Sequence, residues 1–206
     1  YYIRFSIFGF DVRVHPIFWL MGILLGFYSG GLTQIATWIV VAFVSILIHE
    51  LGHSFMMRWY GVDSHIVLHS LGGLAVPRSS RRTQLDWFPQ VLISLAGPVA
   101  GFLFAGLIVG LVYLAGGQVY FGQLYGFIPV PVASVPFGGF SGKVLNDALW
   151  SIMWLNTIWG LVNLLPVYPL DGGQISRHLF IRFDPWNGPR NSLWLSVITG
   201  AFMAIV

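Results

Sequence analysis

Apolar residues in this chain run in long blocks, broken by glycine, proline and small groups of arginine, where a water-soluble fold would alternate them with polar ones. A helix that crosses a bilayer needs roughly 20 mainly apolar residues, and five segments approach or meet that length. The first spans about Pro16 to Tyr28, with a proline suited to a helix start. The second, about Leu32 to Met57, carries no Asp, Glu, Lys or Arg before its last turns. The third covers about Pro89 to Ala115, with Gly97, Gly101, Gly106 and Gly110 as small residues that let helices approach. The fourth covers about Leu145 to Leu165, and the fifth begins near Ser192 and is unfinished at Val206. Residues 2–14 alternate around Gly9 and predict a hairpin. Residues 64–76 also read as β structure, with Gly72-Gly73 as a turn or bulge. Residues 116–144 are too rich in glycine and proline for a helix and read as an interfacial loop. The pattern therefore predicts an α-helical integral membrane protein, a polytopic bundle of about five transmembrane helices with small interfacial β elements. A sixth helix is allowed in a longer protein, because the chain starts without methionine and stops inside an apolar run.

Composition agrees with the pattern. Of 206 residues, 56% are apolar and 8% charged, against about 25% charged in ordinary soluble domains, and mean hydropathy is +0.78. The net charge of +3 does not point to nucleic acid, because the basic residues form no continuous face. They act instead as topology signals. Arg4, Arg13, Arg58, Arg78, Arg81, Arg82, Arg177, Arg182 and Arg190 fall on one side of the predicted spans and only Lys143 on the other, which puts the N-terminus in the cytoplasm. With no cysteine, any metal must be held by His, Asp or Glu.

The chemistry-bearing motif is His49-Glu50-Leu51-Gly52-His53, at the end of the second span. On a helix, positions i and i+4 share a face, so both imidazoles can hold one zinc ion while the glutamate between them serves as general base. Glu50 is the one glutamate of the chain. Ionisable groups within a membrane span are costly and mark function by default. Thr33 to His49 is a rise of about 24 Å against a hydrocarbon core of about 30 Å, which puts the motif inside the membrane near the arginine-rich face. A catalytic zinc takes three protein ligands and an open position. Asp171 lies on the same side and at similar depth, at the end of Asn163-Leu-Leu-Pro166-Val-Tyr-Pro169-Leu-Asp171-Gly-Gly. The two prolines break the helix there, and broken backbone at membrane depth lines a cavity.

Together, HELGH and NLLPVYPLDGG resemble the site-2 protease family of intramembrane zinc metalloproteases. Val12-Arg-Val-His15-Pro16 is similar to the opening of the first helix in sporulation-type members, and Ser94-Leu-Ala-Gly97-Pro98 to the family's A-G-P turn. The family pattern has Asn three residues after that proline, where this chain has Gly101. The resemblance covers about residues 15–175 and implies a single transmembrane metalloprotease domain over 1–206. It implies one zinc ion held by His49, His53 and Asp171, with Glu50 as base and Asn163 near the scissile carbonyl. It also implies that a strand near Leu68–Val76 holds substrate in extended form. The expected partners are a transmembrane protein substrate, the lipid bilayer and a regulatory membrane partner, with no nucleic acid. The expected location is a bacterial or archaeal cell membrane, with the active-site opening toward the cytoplasm.

Other readings weigh against individual residues. Asp171 could be a turn aspartate before Gly-Gly, and Asn163 could satisfy carbonyls freed by Pro166. His65 and His69 share a face of a strand without an acid between them and read as structural. His15 and His178 read as interface residues, and the glycines of the third span as packing positions. For the whole chain the competing functions are a membrane zinc transporter and an inactive relative that binds membrane helices without cutting them.

Overall fold

The computed structural model describes all residues except 28–30, 71, 79–84, 125–127 and 206. The chain opens with strands β1 (Ile3–Ile7) and β2 (Phe10–Val14), then helices α1 (Pro16–Gly26) and α2 (Leu32–Trp59). Strands β3 (Ser64–His69) and β4 (Gly72–Pro77) lead to helix α3 (Trp87–Leu114), and strands β5 (Gln118–Leu124) and β6 (Ile128–Ser134) follow. Helix α4 (Gly139–Trp154) continues through a π-helical turn (Leu155–Trp159) into the short α5 (Gly160–Asn163). After an irregular segment come α6 (Asp171–Phe183) and α7 (Gly188–Ile205).

Among the described residues, α2 and α3, each 28 residues with apolar stretches of mean hydropathy 2.0 and 2.2, are long and apolar enough to cross a membrane. Only 33% and 28% of their apolar windows are buried. A soluble core helix would be mostly buried, whereas here large apolar side chains face outward, including Leu103, Leu107 and Leu111 of α3. The α1 helix is apolar but only 11 residues long. It starts where sequence places it, with Pro16 in the first turn and the His15 imidazole accepting from the Ile17 amide.

The predicted N-terminal hairpin forms, residues 64–69 and 72–77 pair as a second antiparallel unit, and tertiary structure joins the two. Strands β1 to β4 make one four-stranded sheet in chain order, with β2 and β3 paired in parallel. Alternation along β2 and β3 buries Phe10, Val12, Val14, Ile66 and Leu68 on one face, against Phe18 of α1 and Leu47 and Leu51 of α2. Since Leu47 and Leu51 flank and interleave with the HELGH motif, burying this face fixes the rotation of α2. Arg58 closes the same corner. It donates to the Phe8 carbonyl at 2.9 Å and lies over the Phe10 ring, while Arg78 pairs with Asp11.

Three expectations change. Gly72 and Gly73 are paired residues of β4, opposite His69 and Leu68, so the reversal lies before them, where Ser70 adopts a positive φ of 32°. Residues 116–144 are not one loop: β5 and β6 form a hairpin and α4 already begins at Gly139, lengthening the fourth helix toward its N-terminus. Between the fourth and fifth predicted spans lies an unpredicted helix, α6. Of the basic residues used for orientation, Arg81 and Arg82 lie outside the described residues.

The α2–α3 crossing is close because Gly52 has no side chain: a Cβ there would overlap the Ala96 carbonyl and come within 2.8 Å of the Ala100 Cβ. Gly52→Ala is expected to cost about 1–3 kcal/mol, as overpacking of a filled interior does, read as a lower Tm of the detergent-solubilised protein. In the sheet, burial and the guanidiniums of Arg13 and Arg78 hold the His65 pKa below its usual 6.5, against a weaker opposing pull from Asp11. Its NMR titration midpoint should fall below 6.5. The neutral ring is the form the fold prefers, so its contribution to stability should be lost as pH drops beneath that value.

Candidate metal centre

Helix periodicity turns His49 and His53 to one side of α2, and the first residue of α6 brings Asp171 to meet them. The His49 and His53 Nε2 atoms are 3.1 Å apart. Asp171 places Oδ2 3.1 Å from His49 Nε2 and Oδ1 3.3 Å from His53 Nε2. Among the described residues this trio is the His, Asp and Glu group close enough to share a metal ion.

These spacings fit zinc. Ligands about 2.0–2.1 Å from a tetrahedral zinc stand about 3.3 Å from each other; the histidine nitrogens and, for each of them, one carboxylate oxygen stand near that spacing, and one donor atom from each residue gives a set within 4.8 Å. Protonation points the same way. The Nδ1–H of His53 donates to the Ile93 carbonyl at 2.7 Å, so the neutral ring carries its lone pair on Nε2, the nitrogen turned into the site, the arrangement metal-ligating histidines use. Two imidazole nitrogens and a carboxylate facing one another suit a cation held between them.

Gly97 faces this trio from α3. A Cβ at that position would overlap His53 Nε2 and come within 2.7 Å of His49 Nε2, so the glycine of the A-G-P segment does more than permit helix packing. It leaves the space in front of both imidazoles open. Gly172 and Gly173 serve Asp171 in a similar way, since a Cβ on either would strike backbone of residues 164–168. Their bareness lets the first turn of α6 press on the broken segment. Ser196 of α7 braces that segment by accepting from the Tyr168 amide at 3.0 Å.

Glu50 is buried beside the trio and points toward β4, where a Cβ on Gly73 would overlap its side chain. The strand therefore comes within van der Waals reach of the glutamate because residue 73 is glycine. A cavity of about 710 Å³ joins these parts, lined by His49, Glu50, His53, Asp171 and Asn163 and along one wall by Gly72 to Val76 of β4. Every site residue read from the sequence thus lines one cavity. His65 and His69 diverge: His69 lines the rim of the same cavity and packs its ring 4.5 Å from that of His15, while His65 sits among Arg13, Arg78 and Asp11. Sequence reading passed over Asn156, which also lines the cavity and is 3% exposed. Its signal was an amide inside an apolar run, seven residues before Asn163.

Residues 37–205 match the family model described as Peptidase family M50. The chain belongs to peptidase family M50. A zinc metalloprotease of Methanocaldococcus jannaschii is 30% identical to this M50 chain over 179 residues, 84% of the chain and 43% of that protein. Rip3 of Mycobacterium tuberculosis is 29% identical over 184 residues, 82% of the chain and 41% of that protein. The chain thus spans about two fifths of the length of these curated relatives. The solved site-2 protease from Methanocaldococcus jannaschii shares the fold at a TM-score of 0.58 and 24% identity, over all of this chain and 82% of that one. The Gly101 departure from the family's Asn also has a structural counterpart. The Asn156 carboxamide oxygen lies 3.3 Å from where a Cβ on Gly101 would sit, so a neighbouring helix supplies an amide at that place.

Gly97→Ala should weaken zinc binding by about 10–100-fold, the range seen when the support of a metal site is disturbed, measured by competition with a chromogenic chelator. Unchanged affinity would show that Gly97 only packs helices.

Proposed function

We propose that this chain is the proteolytic domain of an intramembrane zinc metalloprotease, hydrolysing a peptide bond in or near a transmembrane segment of another protein. The observation that carries this reading is the convergence of His49, His53 and Asp171 within metal-binding reach beside a buried glutamate and a strand edge, all in one cavity. In this reading α1, the α4–α5 helix and α7 join α2 and α3 in a bundle of about five spans, and residues 1–206 form one domain. The arginines of the sheet, α6 and α7 mark the cytoplasmic side of a cell membrane, toward which the cavity opens.

His49, His53 and Asp171 would hold the zinc, which when bound supplies a Lewis acid that acidifies water and polarises the scissile carbonyl. Glu50 acts as general base. Its carboxylate takes the proton of the attacking water as the new C–O bond forms, then returns it to the leaving nitrogen as the C–N bond breaks. Asn163 donates from its amide to the carbonyl oxygen as that oxygen gains charge in the tetrahedral state.

A helical substrate hides its carbonyls, so cleavage requires local unwinding, and unwound backbone in a membrane needs new hydrogen-bond partners. Strand β4 can provide them. It is the last strand of its sheet, and its residues 72–76 wall the cavity. A segment added to that edge would receive main-chain hydrogen bonds next to Glu50.

Co-expression with candidate single-span proteins tests the reading. The native chain should yield a membrane-dependent fragment. Glu50→Gln should retain one zinc per chain and lose about 10²–10⁴-fold in rate, as loss of a general base does. A Gln variant with near-native turnover would sink the mechanism. Zinc flux into proteoliposomes that survives Glu50→Gln would favour a transporter instead. Asn163→Ala should lower kcat by about 10²–10³-fold, as removal of an oxyanion donor does, with zinc content unchanged.

A further inference from the structure

The helix from Gly139 to Asn163 changes its winding at Leu155–Trp159. Such π-helical turns are rare and recur at functional sites. Two side chains account for this one. Asn156 Nδ2 donates to the Ile152 carbonyl at 2.9 Å and the Thr157 hydroxyl donates to the Met153 carbonyl, each four residues back. Side chains that occupy those acceptors compete with the main-chain ladder. A wider turn holds an extra residue, and one residue is about 100° of helix rotation, so this turn sets which face the segment leading to Asn163 and Asp171 presents.

Asn156 does more than widen the turn. A carboxamide has two N–H donors, and its second goes to the Ser45 hydroxyl on α2, also at 2.9 Å. Ser45 precedes His49 by one helical turn and shares its face. The pair sits beside an apolar cluster of Val41, Ala42 and Leu155, where contacts are non-directional and tolerate sliding. A buried polar pair in such surroundings is the kind of contact that specifies register between helices.

We infer that Asn156 is a positioning residue. Through Ser45 it fixes the sliding and rotation of α2, which carries His49, Glu50 and His53, against the segment that carries Asn163 and delivers Asp171. A slip of one residue along a helix is about 1.5 Å, and functional groups need to be held within about 0.5 Å. The inference rests on the metalloprotease reading.

The test uses the full chain in detergent, with zinc as the probe, for the native form, Asn156→Leu, Ser45→Ala and the double variant. Asn156→Leu keeps the volume and removes both donors. It should lower zinc affinity about tenfold, shrink the zinc-induced rise in Tm, and lower kcat with KM changed by less than about twofold. Ser45→Ala should do the same more weakly, and the double variant should be no worse than Asn156→Leu alone, since residues that act as one pair are not additive. A merely structural role predicts equal losses of Tm with and without zinc, and that result overturns the inference. So do additive effects, or native zinc affinity and kcat in Asn156→Leu. If Asn156→Leu does not fold, Ser45→Ala decides alone by the same two readouts. A native chain whose Tm does not respond to zinc and that cleaves nothing overturns the metalloprotease reading itself. A zinc-responsive native chain matched by its variants overturns only the role of Asn156.

Discussion

Holding lone pairs together among apolar helices is the constraint on which the rest of this structure depends. Two imidazole nitrogens and a carboxylate converge within 4.8 Å of each other. Such a group is costly to assemble in a membrane unless a cation satisfies it. The site also has to be approached closely from all sides without being filled. Glycines meet that demand: Gly52 draws α2 onto α3, Gly97 clears the front of the histidines, Gly73 brings β4 to Glu50, and Gly172 and Gly173 seat the helix that presents Asp171. Each lies where a single methyl group would collide with backbone or with a site residue.

The sheet plays a mechanical part as well as lining the cavity. Its buried face meets α2 at Leu47 and Leu51, so the residues that anchor the helix alternate with those that carry the chemistry. Parallel pairing of β2 with β3 brings the N-terminal hairpin under the second one, and its partners leave β4 as the edge beside Glu50. On the other side of α2, the Ser45–Asn156 hydrogen bond ties the helix to the π-helical turn that leads to Asn163. The metal-site helix is thus held by apolar packing on one face and a directional polar contact on the other.

What could be read from the chain alone was whatever depends on neighbours in sequence. The apolar blocks placed α2 and α3 to within a few residues, because a spanning helix satisfies its own backbone and needs only an apolar exterior. HELGH was legible because i, i+4 spacing is a local geometric fact, and Glu50 stood out as the one glutamate of the chain. Asp171 was legible because prolines and a charge in an otherwise apolar stretch mark a break that must line something polar. Helix α6 escaped because its short amphipathic run mixes Arg177, His178 and Arg182 into the pattern, and the start of α4 because its glycines read as loop.

Tertiary structure decided what depends on distant parts of the chain. Gly97 could not be told from a packing glycine until α3 lay across α2 with its bare Cα facing both imidazoles. Gly72 and Gly73 read as a turn because glycine has turn propensity, yet closeness to Glu50 is what requires Gly73, and no local signal encodes that. Asn156 was an unremarked polar residue until its amide met Ser45, 111 positions away. The sequence by itself determined the membrane class, the two main apolar helices and the chemistry of the candidate metal-binding group, since these follow from local periodicity and residue type. Only the folded chain decided which backbones approach closely enough to need glycine and which polar group locks the helices in register, because both are properties of surfaces brought together by packing.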